Sequence, residues 1–166
     1  LEWEKINEIG LKRCVQLINK TNQFNLTNRR YTEGDIRNFM EDENALALQF
    51  RLLDRFGDNG IIAIVIVYFD SNNGVILDTW LMSCRVLGRK VEHAILSVIV
   101  ELARSRSADN LIGEYIASKK NSMVKDLYET FGFKTIKNDK GDASTFQLEL
   151  KSYKPSESFA SIHQIR

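Results

Sequence analysis

Cys84 and Arg85 stand side by side where an apolar stretch ends and a helical pattern is about to begin. A guanidinium and a helix N-terminus each favour thiolate over thiol, so a cysteine placed there is a candidate nucleophile. The bland reading is a small residue packed under a loop, where free cysteines are usually inert. The run continues as Arg85-Val86-Leu87-Gly88-Arg89-Lys90. A loop that opens a helix presents unpaired N–H groups and a partial positive charge, which suits phosphate or pyrophosphate. Gly88 would let that backbone approach its ligand closely. His93, by its residue type, is a candidate base, or a solvated neighbour of Glu92. His163 carries no argument. Two histidines and two cysteines without ligand spacing make no metal site.

The surrounding pattern supplies elements to hold these groups. Leu11, Cys14, Val15 and Ile18 recur at helical spacing, predicting a helix over 8–20. Residues 21–31 are polar and read as a loop. Thr32 with Asp35 forms a capping-box pattern ahead of a short helix carrying Ile36, Phe39 and Met40. Alternating Leu46, Leu48, Phe50 and Leu52 make a half-buried strand. Residues 56–60 read as a turn, and the unbroken apolar run 61–69 as a central strand. Ser71-Asn72-Asn73-Gly74 closes a hairpin onto a third strand at 75–83. A buried-face helix follows at 89–105, then a strand at 111–116 and a helix at 120–131 stopped by Gly132. Strands at 133–137 and 145–150 flank a turn at 138–142. Trp3 to Ile6 is the candidate for an additional first strand. One domain over 1–152 is expected, with a loosely attached tail over 153–166.

Length and composition bound the partners. The 166 residues suit one core, and a net charge of +1 lacks the basic excess of a nucleic-acid binder. The longest apolar run is too short to span a bilayer, and no signal peptide opens the chain. A reduced, cytoplasmic protein is expected. The opening Leu1-Glu2-Trp3-Glu4, without Met, hints at a piece of something longer.

The element order resembles that of the GNAT acyltransferases: an α/β fold whose mixed central sheet splays open between 75–83 and 111–116. Two motifs carry the resemblance. Arg85 and Gly88 match the family's phosphate loop, while Lys90 stands where a small residue belongs. Asn121 and Tyr128, in Asn121-Ser122-Met123-Val124-Lys125-Asp126-Leu127-Tyr128-Glu129-Thr130-Phe131-Gly132-Phe133, resemble the segment that lines the pantetheine arm. The resemblance implies coenzyme A or phosphopantetheine at 85–90 and Asn121. It implies Tyr128 near the thioester sulfur, where a phenol within hydrogen-bond reach can protonate a leaving thiolate. The other reading of this segment is a helix packing Leu127 and Phe131. In this fold substrates lie in the splay, beside Asp78, Trp80 and Glu114. Asp78 or Glu114 would serve there as base, or simply as strand-surface carboxylates. Arg29, Arg30 and Tyr31 would line the acceptor side, since Arg suits carboxylate or phosphate; otherwise their loop caps the sheet or docks a partner domain.

A closer resemblance is to FkbH-type proteins. It rests on Leu17-Ile18-Asn19-Lys20-Thr21-Asn22-Gln23-Phe24-Asn25-Leu26-Thr27-Asn28-Arg29-Arg30-Tyr31 and on Trp80-Leu81-Met82-Ser83-Cys84-Arg85-Val86-Leu87-Gly88-Arg89. It covers the chain to about residue 150. It implies a haloacid-dehalogenase-like N-terminal domain that dephosphorylates an activated glycerate, and an acyl carrier protein loaded as a thioester. This chain lacks the paired-aspartate loop of that domain and would be the C-terminal module alone. Cys84 would then be an acyl relay. Three readings stand: an acyl-transfer module, a non-catalytic docking module, and a stand-alone N-acetyltransferase. Lys90 and the lack of a clear base speak against the last.

Overall fold

A computed structural model of the chain describes residues 1–139, 142–155 and 161–165. The elements are β1 (Glu2–Lys5), α1 (Glu8–Lys20), α2 (Glu33–Glu41), β2 (Ala45–Asp54), β3 (Gly57–Phe69), β4 (Gly74–Met82), α3 (Val91–Ser105), β5 (Asn110–Ile116), α4 (Leu127–Thr130), β6 (Lys134–Asp139), β7 (Ala143–Glu149) and β8 (His163–Gln164). The strands form one sheet in the order β6-β7-β5-β4-β3-β2-β1-β8. β4 pairs with β5, and β1 with β8, in parallel. The other neighbours are antiparallel.

Each face of the sheet is covered. Leu11, Cys14, Ile18 and Ile36 of α1 and α2 pack on Ile64, Ile66 and Leu81. Val91, Ala94, Ile95 and Val98 of α3 join a second core with Ala63, Val65 and Val67. β3 is therefore buried on both sides, which is why residues 61–69 are continuously apolar. The helix starts follow local chemistry. The Asn7 side chain accepts from Gly10 N at 2.9 Å, and Thr32 and Asp35 complete the expected capping box. A β-carbon at Gly10 would meet the side-chain amide of Gln49, so a larger residue there would have to displace that amide.

Several expectations change in detail. The turn cluster at 56–60 is mostly strand, because β2 and β3 pair as far as Asp54↔Gly57 across irregularities near Arg51. The helix expected over 120–131 is broken into a 3-10 turn, Ser122–Val124, and the four-residue α4. Neither Asn121 nor Asp126 caps with its side chain, so no continuous helix is started there. Gly132 does close α4, at φ +83°. Of the turn at 138–142, Lys140 and Gly141 lie outside the described residues, as do 156–160 and 166 of the tail. The tail expected to hang loosely returns at β8, where His163 N donates to Leu1 O and Ile165 N to Trp3 O, both at 2.9 Å.

The feature that positions the site is the divergence of β4 and β5. They pair only over Gly74↔Asn110 to Leu77↔Gly113. Asp78 follows as an extra residue against β3, between the pairs Val67↔Leu77 and Ile66↔Thr79. Such a bulge bends its strand, and from there the two strands part, as the expected splay requires.

Candidate functional site

The split between β4 and β5 is occupied by the chain itself. Met82 N donates to Phe24 O at 3.0 Å, and Leu26 N donates to Trp80 O at 3.1 Å. These bonds flank an antiparallel bridge, Asn25↔Leu81. On the other side Ile116 N donates to Leu26 O at 2.8 Å. Residues 24–26 thus act as a short inserted strand between β4 and β5. Phe24 and Leu26 are buried and join the α3-side core.

Asn121 locks this insert. Its Nδ2 donates to Asn25 O and to Ile116 O, each at 2.9 Å. Its Oδ1 accepts from Ser118 N, Ser118 Oγ and the Tyr115 hydroxyl. The side chain is fully buried with both donor hydrogens committed inside the chain. The residue expected to touch a pantetheine arm instead holds the loop that lies in the split.

Past the insert, a polar zipper crosses the split. Arg29 donates to the Asp78 carbonyl at 2.9 Å and carboxylate at 3.1 Å on β4, and to Glu114 Oε2 at 2.6 Å on β5. Thr27 Oγ1 donates to the Asp78 carbonyl at 3.0 Å. The Tyr31 hydroxyl donates to Asp78 Oδ2 at 2.7 Å. Burial works against the Arg29 charge, but Asp78 and Glu114 outweigh it and raise its pKa. Burial, then the Asp78 acceptor, push the Tyr31 phenol well up. Arg30 turns away and donates to the Ile18 and Thr21 carbonyls at the end of α1, a cation on a helix C-terminus.

Two polar atoms near the split are buried without a hydrogen-bond partner among the described residues: Trp80 Nε1 and the Tyr128 hydroxyl. Trp80 stacks on Phe131 at 5.8 Å and meets the edge of Phe24 at 6.2 Å, facing the α3-side core rather than an acceptor. Tyr128 lies between Phe133 and Phe146, at 4.9 and 5.2 Å. Its ring presses on Gly113, the last β5 residue paired with β4. The phenol therefore sits at the root of the split. Burial raises its pKa.

The loop at 85–90 is partly turned on itself. Cys84–Val86 forms a 3-10 turn, Leu87 N donates to Cys84 O, and Arg89 N donates to Val86 O. Ser83 Oγ accepts from Arg85 Nε at 3.2 Å, and Arg89 pairs with Asp54. Gly88 takes φ +78°, a left-handed conformation that glycine adopts without steric cost. Lys90 caps α3 at φ +56°, so the position where the family has a small residue needs left-handed backbone. Val86 is buried and Leu87 half-buried, while Arg85 is exposed. Cys84 is exposed rather than packed under the loop. It opens onto a cleft with Arg13, Lys20, Lys119 and Lys120. His93 meets the edge of the Phe131 ring at 5.0 Å.

Sequence reasoning missed the insert, the locking role of Asn121 and the contact between Gly113 and Tyr128. One signal was present: Phe24 and Leu26 alternate with polar neighbours, as a strand would.

A scan against protein-family models gives no match, and a search of curated protein sequences gives none either. Solved structures do match. A Streptococcus mutans protein aligns with TM-score 0.71 and 13% identity, over 90% of this chain and 99% of that one. A GNAT-family acetyltransferase from Staphylococcus aureus aligns at 0.67 and 13%, over 89% and 98%. The ribosomal-protein-S18-alanine N-acetyltransferase of Escherichia coli aligns at 0.66 and 16%, over 96% and 95%. At these identities the likeness is one of fold: the chain has the GNAT fold. No helix among the described residues is long and apolar enough to cross a membrane.

Proposed function

We propose that this chain is a GNAT-fold module of FkbH type that docks a pantetheine-borne acyl group for a partner domain, rather than transferring it through the split. The carrying observation is that the two runs behind the FkbH resemblance are hydrogen-bonded to each other. Residues 24–26 of the first lie on Trp80, Leu81 and Met82 of the second and fill the space where a GNAT thioester would lie.

Magnitudes support docking. An arm entering the split must break three backbone hydrogen bonds and expose Phe24 and Leu26. At about 1 kcal/mol per bond and roughly 2 kcal/mol per side chain, the cost is on the order of 5–10 kcal/mol. A micromolar ligand gains only about 8 kcal/mol in total. In this reading the partners are an acyl carrier protein and a haloacid-dehalogenase-like domain, and coenzyme A is a weak ligand through the same arm.

The experiment is a turnover assay with acetyl-coenzyme A and amine acceptors, beside titration with acyl-loaded carrier protein. Binding of the carrier without turnover is the expected result. Acetyl transfer at ordinary enzymatic rates, about 1 s⁻¹ or faster, would overturn the reading. One observation favours a second reading, acyl transfer with Tyr128 as acid: its hydroxyl lies unpartnered at the root of the split.

A further inference from the structure

An open cleft of about 700 Å³ lies between the C-terminal half of α1 and the loop after β5. Its volume falls in the ordinary range for ligand pockets. Arg13 and Lys20 of α1 line one side, and Lys119 and Lys120 of the loop line the other. No Asp or Glu is among its lining residues. Elsewhere three exposed arginines are compensated: Arg37 pairs with Glu8, Arg51 with Asp58 and Arg89 with Asp54. None of the four cleft cations forms an ion pair among the described residues. In a chain of net charge +1 this is a local excess of positive charge in a concave site, the arrangement that concentrates an anion.

The rest of the lining narrows the ligand. Gln16, Asn22 and Gln23 add amide groups at the rim, and Leu17, Phe24 and Met82 give an apolar floor that ends at the exposed Cys84. Phe24 and Met82 are also the two residues whose backbone bond closes the end of the split. A phosphate at the rim could continue into a flexible, amide-containing chain running over that floor. The loop carrying Lys119 and Lys120 is held in place by Asn121 through Ser118, so these cations are presented on an anchored turn.

We propose that this cleft, and not the loop at 85–90, is the phosphate site of the domain, and that it holds the phosphate of a 4′-phosphopantetheine arm. The arm comes from coenzyme A or from a carrier protein; the shared chemistry is the phosphate. The proposal rests on the docking function proposed above.

The test is calorimetric titration of the whole chain with 4′-phosphopantetheine, pantetheine, and carrier protein with and without its arm. The same ligands are then tested for protecting Cys84 from alkylation. Phosphopantetheine and armed carrier should bind and protect, and pantetheine should bind at least about tenfold more weakly, with affinity falling as salt rises. The double variant Lys119→Glu/Lys120→Glu should lose about tenfold or more. Arg85→Ala should weaken binding less than that. Circular dichroism confirms that each variant is folded. A larger loss at Arg85 than at the lysines would return the phosphate to the loop. Carrier binding unchanged by the lysine variant, or by removal of the arm, overturns the site while leaving the docking reading in place. If no probe binds the native chain, both fall.

Discussion

Gly113 lies directly against the ring of Tyr128: a β-carbon built on Gly113 would stand 2.3 Å from the ring and 2.7 Å from its hydroxyl oxygen. A side chain at Gly113 therefore cannot be added without displacing Tyr128. Gly113→Ala must push the ring out of a closed aromatic cluster with Phe133 and Phe146, a cost of about 1–3 kcal/mol by overpacking. Tyr128→Phe removes a buried hydroxyl that has no partner. It should leave stability unchanged or raise it by about 1 kcal/mol. Urea unfolding of the two variants checks both signs. In the acyl-transfer reading Tyr128→Phe would also cost about 10²–10⁴-fold in turnover; in the docking reading carrier binding is unaffected.

The two cysteines should separate cleanly under alkylation. Cys84 is exposed, while Cys14 is buried and donates to Gln49 Oε1 at 3.0 Å. Burial pushes the Cys14 thiol up to about 12, so it stays protonated at working pH. Iodoacetamide at pH 8 should give one adduct, at Cys84, by peptide mass spectrometry. The same measurement addresses the relay, because an acyl-enzyme formed from a loaded carrier would appear at Cys84 and vanish in Cys84→Ser.

Acid should weaken the β2–β3 hairpin through Asp58. The Arg51 guanidinium, then the Gly60 backbone N–H, hold its carboxyl down at about 2, against an ordinary 3.8. A carboxylate with a depressed folded pKa contributes stability that is whole above its unfolded pKa and lost as pH falls through the folded one. The loss therefore belongs to the window from about pH 4 down to 2. Asp58→Asn should flatten that part of a pH–stability curve and leave the neutral part of the curve parallel to the native one.

Much of this fold is legible because local chemistry and packing agree. α1 begins and ends where the spacing of Leu11, Cys14 and Ile18 and the Asn7 cap put it, and β3 is central because residues 61–69 are apolar on both faces. The helix over 120–131 misreads because the spacing of Leu127 and Phe131 is helical, whereas Asn121 has spent its side chain on Asn25 and Ser118. That commitment is made to residues 96 and 3 positions away, and the first of these is invisible to a local pattern. The same holds for the insert. Residues 21–31 are polar enough to read as a loop, and only the opened edge of β4 turns 24–26 into a strand. Arg85 and Gly88 were readable as a candidate phosphate loop from local spacing alone. The basic cleft was not, since Arg13 and Lys20 are 99 to 107 positions from Lys119 and Lys120 and meet only through the fold.

Asn121 gives the sharpest separation between a ligand contact and a positioning residue. If it served a pantetheine arm, Asn121→Ala would lower affinity and leave the free protein untouched. Here its loss strips partners from the Asn25 and Ile116 carbonyls and from the Tyr115 hydroxyl. Each buried polar group left unpaired costs about 1–3 kcal/mol, so the variant should lose roughly 3–5 kcal/mol. The loss has an address. Leu26 N, Met82 N and Ile116 N are the three amides bonded across the insert. Native-state hydrogen exchange should find them protected together in the native chain, and in Asn121→Ala they should lose protection together while the β3 amides keep theirs relative to global unfolding. Asn121→Asp, which keeps the acceptor and removes both donor hydrogens, should free the Leu26 rung and still hold Ser118. If these three amides exchange rapidly in the native chain, residues 24–26 do not occupy the split, and the route for a thioester arm between β4 and β5 is open.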